Sequence, residues 1–193
     1  MKKNSLVLGL SILSFAATGQ TTWVVDPVHS SVQFEVSHLA VSSVTGDFTG
    51  FTGSVITQND DFNNARISAT IDVNSVDTNN LERDKHLKED DFFNASKYPN
   101  ITFVSSVFSK EKDNIFTIQG DLTIRDVTKP ISLSAEYGGI VSINGQQKAG
   151  FTAEGTIDRF DYGLKWDDVL DSGGLIVGEK VDIILKVQLV KKQ

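Results

Sequence analysis

After residue 20, apolar and polar positions alternate one by one along most of the chain, the period of strands that bury one face. Val32, Phe34 and Val36 alternate with Ser31, Gln33, Glu35 and Ser37, and Ile67, Ala69, Ile71 and Val73 alternate with Arg66, Ser68, Thr70 and Asp72. The same rhythm returns at Ile101 and Phe103, through Phe116, Ile118, Gly120, Leu122 and Ile124, and at Ile131, Leu133, Ala135 and Tyr137. It closes with Phe151, Ala153, Gly155 and Ile157, then Val181, Ile183, Leu185, Val187 and Leu189. With the segment from Phe48 to Val55, this makes about eight strands. In "GDFTGFTG" the phenylalanines fall three apart, so a bulge at Gly50 is expected to return both rings to one face.

Asn144-Gly145, Gly138-Gly139, Lys129-Pro130 and Gly173-Gly174 supply turns between the strands. Sheets with one dry and one polar face suit antiparallel pairing. Eight consecutive strands joined by short turns close economically into an all-β, up-and-down antiparallel barrel, which leaves no free edge; a two-sheet sandwich is the alternative. One segment breaks the rhythm. From Thr78 or Asn79 to Phe93 a helix is expected, carrying "LERDKHLKEDDFF", apolar at Leu81, Leu87, Phe92 and Phe93 and stopped by Pro99. It is expected to lie over the barrel or across its mouth.

The first twenty residues are different in kind. Two lysines precede a 12-residue apolar run, Leu6 to Ala17, followed by small residues, which reads as a secretory signal peptide over 1–20 with cleavage near Gly19 or Gln20. The run is well short of the roughly 20 residues a spanning helix needs. The chain has no cysteine, which excludes disulfides and lipid attachment at an N-terminal cysteine. A single domain over 21–193 is left, exported to the periplasm or beyond. Net charge is −7, and −9 without Lys2 and Lys3, which argues against nucleic acid or an anionic membrane surface as partner. The oligomeric state stays open, a homodimer included.

An eight-stranded barrel is either filled by its own side chains or just wide enough for one small ligand. Ala69, Gly120, Ala153 and Gly155 put small residues in the middle of dry faces, which leaves room for an apolar tunnel; tight packing around bulky neighbours is the other reading. Chemistry has few candidates. His29, His38 and His86, with Asp26 or Asp84, are the material for a metal site or an enzyme, but spacings of 9 and 48 match no compact ligand motif. No G-x-S-x-G occurs, and nothing demands catalysis. Arg83 and His86 share a helical face, either as a polar rim for a ligand head or, with Asp84 or Asp26, as a network pinning the helix.

"WVVDPVHSSVQFEVSHL", "GDFTGFTGSV", "IDVNSVDTNNLERDKHLKEDDFFNASKYPNITFVSS", "IQGDLTIRDVTKPISL" and "FTAEGTIDRFDYGL" together resemble the YceI-like family of secreted bacterial proteins, from about Trp23 to Val190. The resemblance implies a lipocalin-like barrel whose hydrophobic tunnel holds a polyisoprenoid lipid or a quinone tail in the periplasm, with no enzyme activity, cofactor or metal. One departure is Asp126 in "TIRDVTKP", where the family often has glycine and where aspartate is expected to adopt the turn conformation. The lipid is then expected along Phe34, Val36, Ile71, Phe103, Ile118, Gly120, Leu122, Ala153 and Gly155, with its head beside Arg83 and His86. Phenylalanine at 120 or 153 should block uptake and leave the fold intact.

Overall fold

A computed structural model describes residues 19–58 and 61–192. The segment expected to direct export therefore lies almost wholly outside the described residues. Eight antiparallel staves form the barrel, and the first three are each broken in the middle. Stave one is β1 (Thr21–Val25) and β2 (Ser31–His38), interrupted by a 3-10 turn at Pro27–His29. Stave two is β3 (Ser42–Phe48) and β4 (Phe51–Thr57). Stave three is β5 (Arg66–Asp72), a 3-10 turn at Val73–Ser75, and β6 (Val76–Asp77). The helix α1 (Leu81–Leu87) follows, and then β7 (Asn100–Lys112), β8 (Ile115–Ile124), β9 (Val127–Ile143), β10 (Gln146–Asp158) and β11 (Val177–Lys191) run unbroken.

The long last strand closes the ring. Its C-terminal part pairs with β1 (Val25 opposite Leu189) and its N-terminal part with β2 (Val36 opposite Val181). From β1 the pairing continues through β4, β5, β7, β8, β9 and β10 back to β11, so the closed barrel has no free edge at that level. The breaks in staves two and three are stitched together, Thr49 N donating to Ser75 O and Asp72 N to Gly50 O. The expected irregularity at Gly50 is thus a full strand break, and it does place Phe48 and Phe51 on the same inner wall.

The helix is shorter than its sequence suggests. Asn80, rather than Thr78 or Asn79, is the cap, its side chain accepting from Arg83 N, while Asn79 takes a left-handed φ of 59°. After Leu87 the chain turns back on itself, with Phe93 N donating to Leu87 O and Asn94 N to Glu89 O. A continuous helix would send Phe92 and Phe93 about 100° apart; the turn buries both. Leu81, expected on the apolar side, is 86 % exposed. In the turn between β8 and β9 the left-handed residue is Arg125, φ 58°, and not Asp126.

Outward positions such as Gln119, Asp121, Glu154 and Lys186 are polar and exposed. A barrel that spans a bilayer turns an apolar band outward, so this one is dry inside and wet outside. Among the described residues no helix is long and apolar enough to cross a membrane.

Candidate functional site

The inward faces of the staves enclose a cavity of about 260 Å³, just below the roughly 300–1,000 Å³ common for small-molecule sites. Its wall is apolar almost throughout. Val32, Phe34, Val36, Ile71, Ile183 and Leu185 face inward yet are only half-buried, so their surfaces meet open space rather than packed neighbours. Along β11 the wall runs from Val177 to Leu189, twelve residue steps that span about 30 Å of barrel axis at roughly 3.3 Å per step and a tilt of roughly 40°. The space is therefore slender and suits one extended chain.

Each end is shut differently. At the end where β1 begins and β11 finishes, six aromatic residues gather. Phe62 lies 5.1 Å from Trp23, 5.7 Å from Tyr137 and 5.0 Å from Phe151, ring to ring, and Phe108 and Phe116 complete the cluster. At the other end Leu87, Phe92, Phe93 and Leu164 cover the bore. Arg125 holds that cover by its main chain, Nη1 donating to the carbonyls of Asp90, Phe92 and Gly163 and Nη2 to Asp90 Oδ1.

Beside that cover sits Arg159, 3 % exposed and, among the described residues, the one charged residue on the wall. Its Nε, Nη1 and Nη2 donate to the carbonyls of Gly178, Leu164 and Val177, and its guanidinium stacks 4.1 Å from the Phe160 ring. Burial pulls its pKa below the ordinary arginine value, with Asp158, Asp167 and Glu179 pulling the other way. Its hydrogen bonds all go to main-chain oxygens, so a formal positive charge lies buried beside an apolar bore.

Of the positions expected along a ligand, Phe34, Val36, Ile71, Phe103, Ile118, Leu122 and Ala153 line the cavity. Gly120 and Gly155 do not. The Phe103 ring fills the space beside Gly120, and a Leu133 methyl fills that beside Gly155, so these glycines admit neighbours instead of widening the bore. The expectation that phenylalanine at 120 leaves the fold intact fails for the same reason.

The polar candidates separate into three unconnected groups, none of them on the bore. Asp26 Oδ2 binds His29 Nδ1 at 3.0 Å and Gln188 Nε2 at 3.0 Å, with Lys148 Nζ at 3.5 Å, and so fastens the break in stave one to its neighbours. The His29 hydrogen bond, with that of Val28 N, holds the Asp26 carboxyl below its usual value. Asp84 is buried and accepts from Thr78 N at 2.8 Å and Thr78 Oγ1 at 2.6 Å, while Arg83 Nε donates to Thr78 Oγ1 at 2.7 Å. That network pins the start of α1. His86 pairs with Asp91 at 2.7 Å and packs edge-on against Phe92 and Trp166. Arg83 and His86 therefore do not form a rim together. His38 ends β2, and among the described residues no three His, Cys, Asp or Glu converge on a metal position.

Comparison with known proteins places this geometry in a wider group. A family model described as the YceI-like domain matches residues 23–189. A UPF0312 protein of Staphylococcus aureus is 36% identical over 163 residues, covering 83% of this chain and 92% of that one. The crystal structure of a Campylobacter jejuni YceI protein superimposes with a TM-score of 0.68 at 30% identity, over 81% of this chain and 90% of that one. A structure described as a polyisoprenoid binding domain from Saccharophagus degradans shares the fold, with a TM-score of 0.65 at 16% identity, over 86% of this chain and 97% of that one.

Proposed function

The chain belongs to the YceI-like family, and from that premise we propose that it is an exported carrier holding one polyisoprenoid or isoprenoid-quinone chain in its bore. The observation that carries the reading is the continuous apolar wall from Phe62 to Val177, with a single charge, Arg159, at its far end. Such a space rewards length and apolarity more than any polar pattern. Each methylene buried contributes about 0.8 kcal/mol, and even discounted to about 0.3 kcal/mol per heavy atom every ten carbons the bore takes in add about 3 kcal/mol. The head, with its acceptor oxygens, belongs at the Arg159 end, in place of Arg83 and His86. A wall with one charged group offers no acid–base pair, which favours binding over catalysis. The name of the Saccharophagus domain agrees with this reading of the bore. Export rests on the pattern of residues 1–20.

The test is native mass spectrometry of protein expressed with its own N-terminal segment, followed by organic extraction and identification of what is released. A stoichiometric isoprenoid or quinone supports the reading, and the mass of the mature chain reports whether the first twenty or so residues are removed. Ala153→Phe provides the control. Ala153 lies on the wall between Ala135 and Leu185 in register, so a folded variant should have lost its cargo. A wild-type protein that is empty after purification and takes up no polyprenol would overturn the proposal.

A further inference from the structure

Phe62 is the residue of the aromatic cluster least expected where it is. It belongs to the polar loop between β4 and β5, flanked by Asp61, Asn63 and Asn64, yet it is fully buried and lines the cavity. Its φ of 58° lies in the left-handed region, where a bulky residue is a true outlier. Strain of that kind persists only when the surroundings fix it, and it concentrates at ligand clamps. Here the surroundings fix the backbone and not merely the ring. Asn64 N donates to Phe108 O at 2.8 Å, Lys110 N to Asn63 Oδ1 at 3.2 Å and Ala65 N to Phe62 O at 3.1 Å, tying the loop to β7 on the C-terminal side of the ring.

The ring stands between the bore and two other members of the aromatic cluster. On one side is the bore; on the other are Trp23 and Tyr137, which touch Phe62 and do not line the cavity. Removing the ring would join its volume to the bore without opening the bore to water, because Trp23 still stands behind it, fully buried. We propose that Phe62 is the stop against which the far end of the bound chain rests, and that its ring sets the longest isoprenoid the barrel accepts. The inference rests on the proposed lipid-binding function and adds its selectivity: with the head fixed at the Arg159 end, chain length is measured against a fixed floor.

The experiment presents the full-length, delipidated wild type and its Phe62→Ala, Phe62→Leu and Phe62→Trp variants with an equimolar ladder of all-trans polyprenols. Native mass spectrometry then reads which lengths are retained. Wild type should show a sharp upper limit. Phe62→Ala should raise that limit by at least one isoprene unit, Phe62→Leu should raise it less, and Phe62→Trp should lower it. Circular dichroism establishes that each variant is folded, and should Phe62→Ala fail to fold, Phe62→Leu decides. An unchanged limit in folded variants that still bind overturns the stop and leaves the lipid-binding function standing. No binding by any protein, wild type included, overturns both.

Discussion

Replacing Gly120 by alanine tests whether the glycines of the dry face make room for a ligand or for their neighbours. A Cβ at 120 would stand 2.5 Å from Phe103 Cζ and 2.5 Å from the carbonyl oxygen of Val104. The ring can swing toward the bore; the carbonyl belongs to β7 and cannot. Overpacking of this sort costs about 1–3 kcal/mol, and the lower entropy of the unfolded chain with alanine returns about 0.4–1 kcal/mol. A net loss of about 1–2 kcal/mol is expected, or about 2–8 °C in Tm for a domain of this size. Gly150→Ala is the matched control, because no atom lies within 4 Å of its added Cβ and its φ is not left-handed. It should be neutral or slightly stabilising. Urea unfolding followed by tryptophan fluorescence on delipidated protein gives both values, lipid being removed because a bound ligand adds its own stability. If Gly120→Ala lies within about 0.5 kcal/mol of wild type, inside the range of an inconsequential surface change, there is slack beside Phe103 and the wall is looser than its geometry implies.

Tyr162 is 1 % exposed, its hydroxyl meets no hydrogen-bond partner, and burial pushes its pKa up to about 12. The unfolded tyrosine ionises near 10, so above that pH the unfolded state releases a proton that the folded state keeps, and stability falls by up to about 2–3 kcal/mol as pH rises toward 12. Tyr162→Phe should remove this part of the alkaline loss and be neutral to about 2 kcal/mol more stable at pH 7; a steeper alkaline loss would refute the account. Asp84→Ala strips the acceptor from two Thr78 donors and should cost about 2–4 kcal/mol in denaturant unfolding, while cargo is retained in the folded fraction. Loss of cargo at unchanged stability would return the charged helix to a headgroup role.

How much of this was readable in advance depended on how local the cause was. Strand positions and faces follow from period two, and eight of them favour a closed barrel over a sandwich, which the pairing of β11 with both β1 and β2 decides; the spacing of Phe48 and Phe51 marks an irregularity at Gly50 but not that the strand breaks there. The charged cluster at 81–93 resolves into an anchor because Thr78, Arg83 and Asp84 are near neighbours in the chain. The remaining features depend on distant segments. Arg159 follows a strand ending in aspartate and looks solvated, but its burial is set by the carbonyls of residues 164, 177 and 178. Gly120 and Gly155 look like room because nothing in their own strands shows that Phe103 and Leu133 lean in from the next stave. Phe62 left one legible sign, a single aromatic residue among aspartates and asparagines.

The way Arg125 and Arg159 grip the cover of the bore bears on how such a protein can change over time. Six of their hydrogen bonds end on main-chain carbonyls, those of Asp90, Phe92, Gly163, Leu164, Val177 and Gly178. A carbonyl is present whatever side chain stands beside it. The residues of these loops that point to solvent can therefore drift freely while the two clamps stay intact. A descendant of this chain can acquire a new surface at this end of the barrel without first inventing a new way to hold its cover in place.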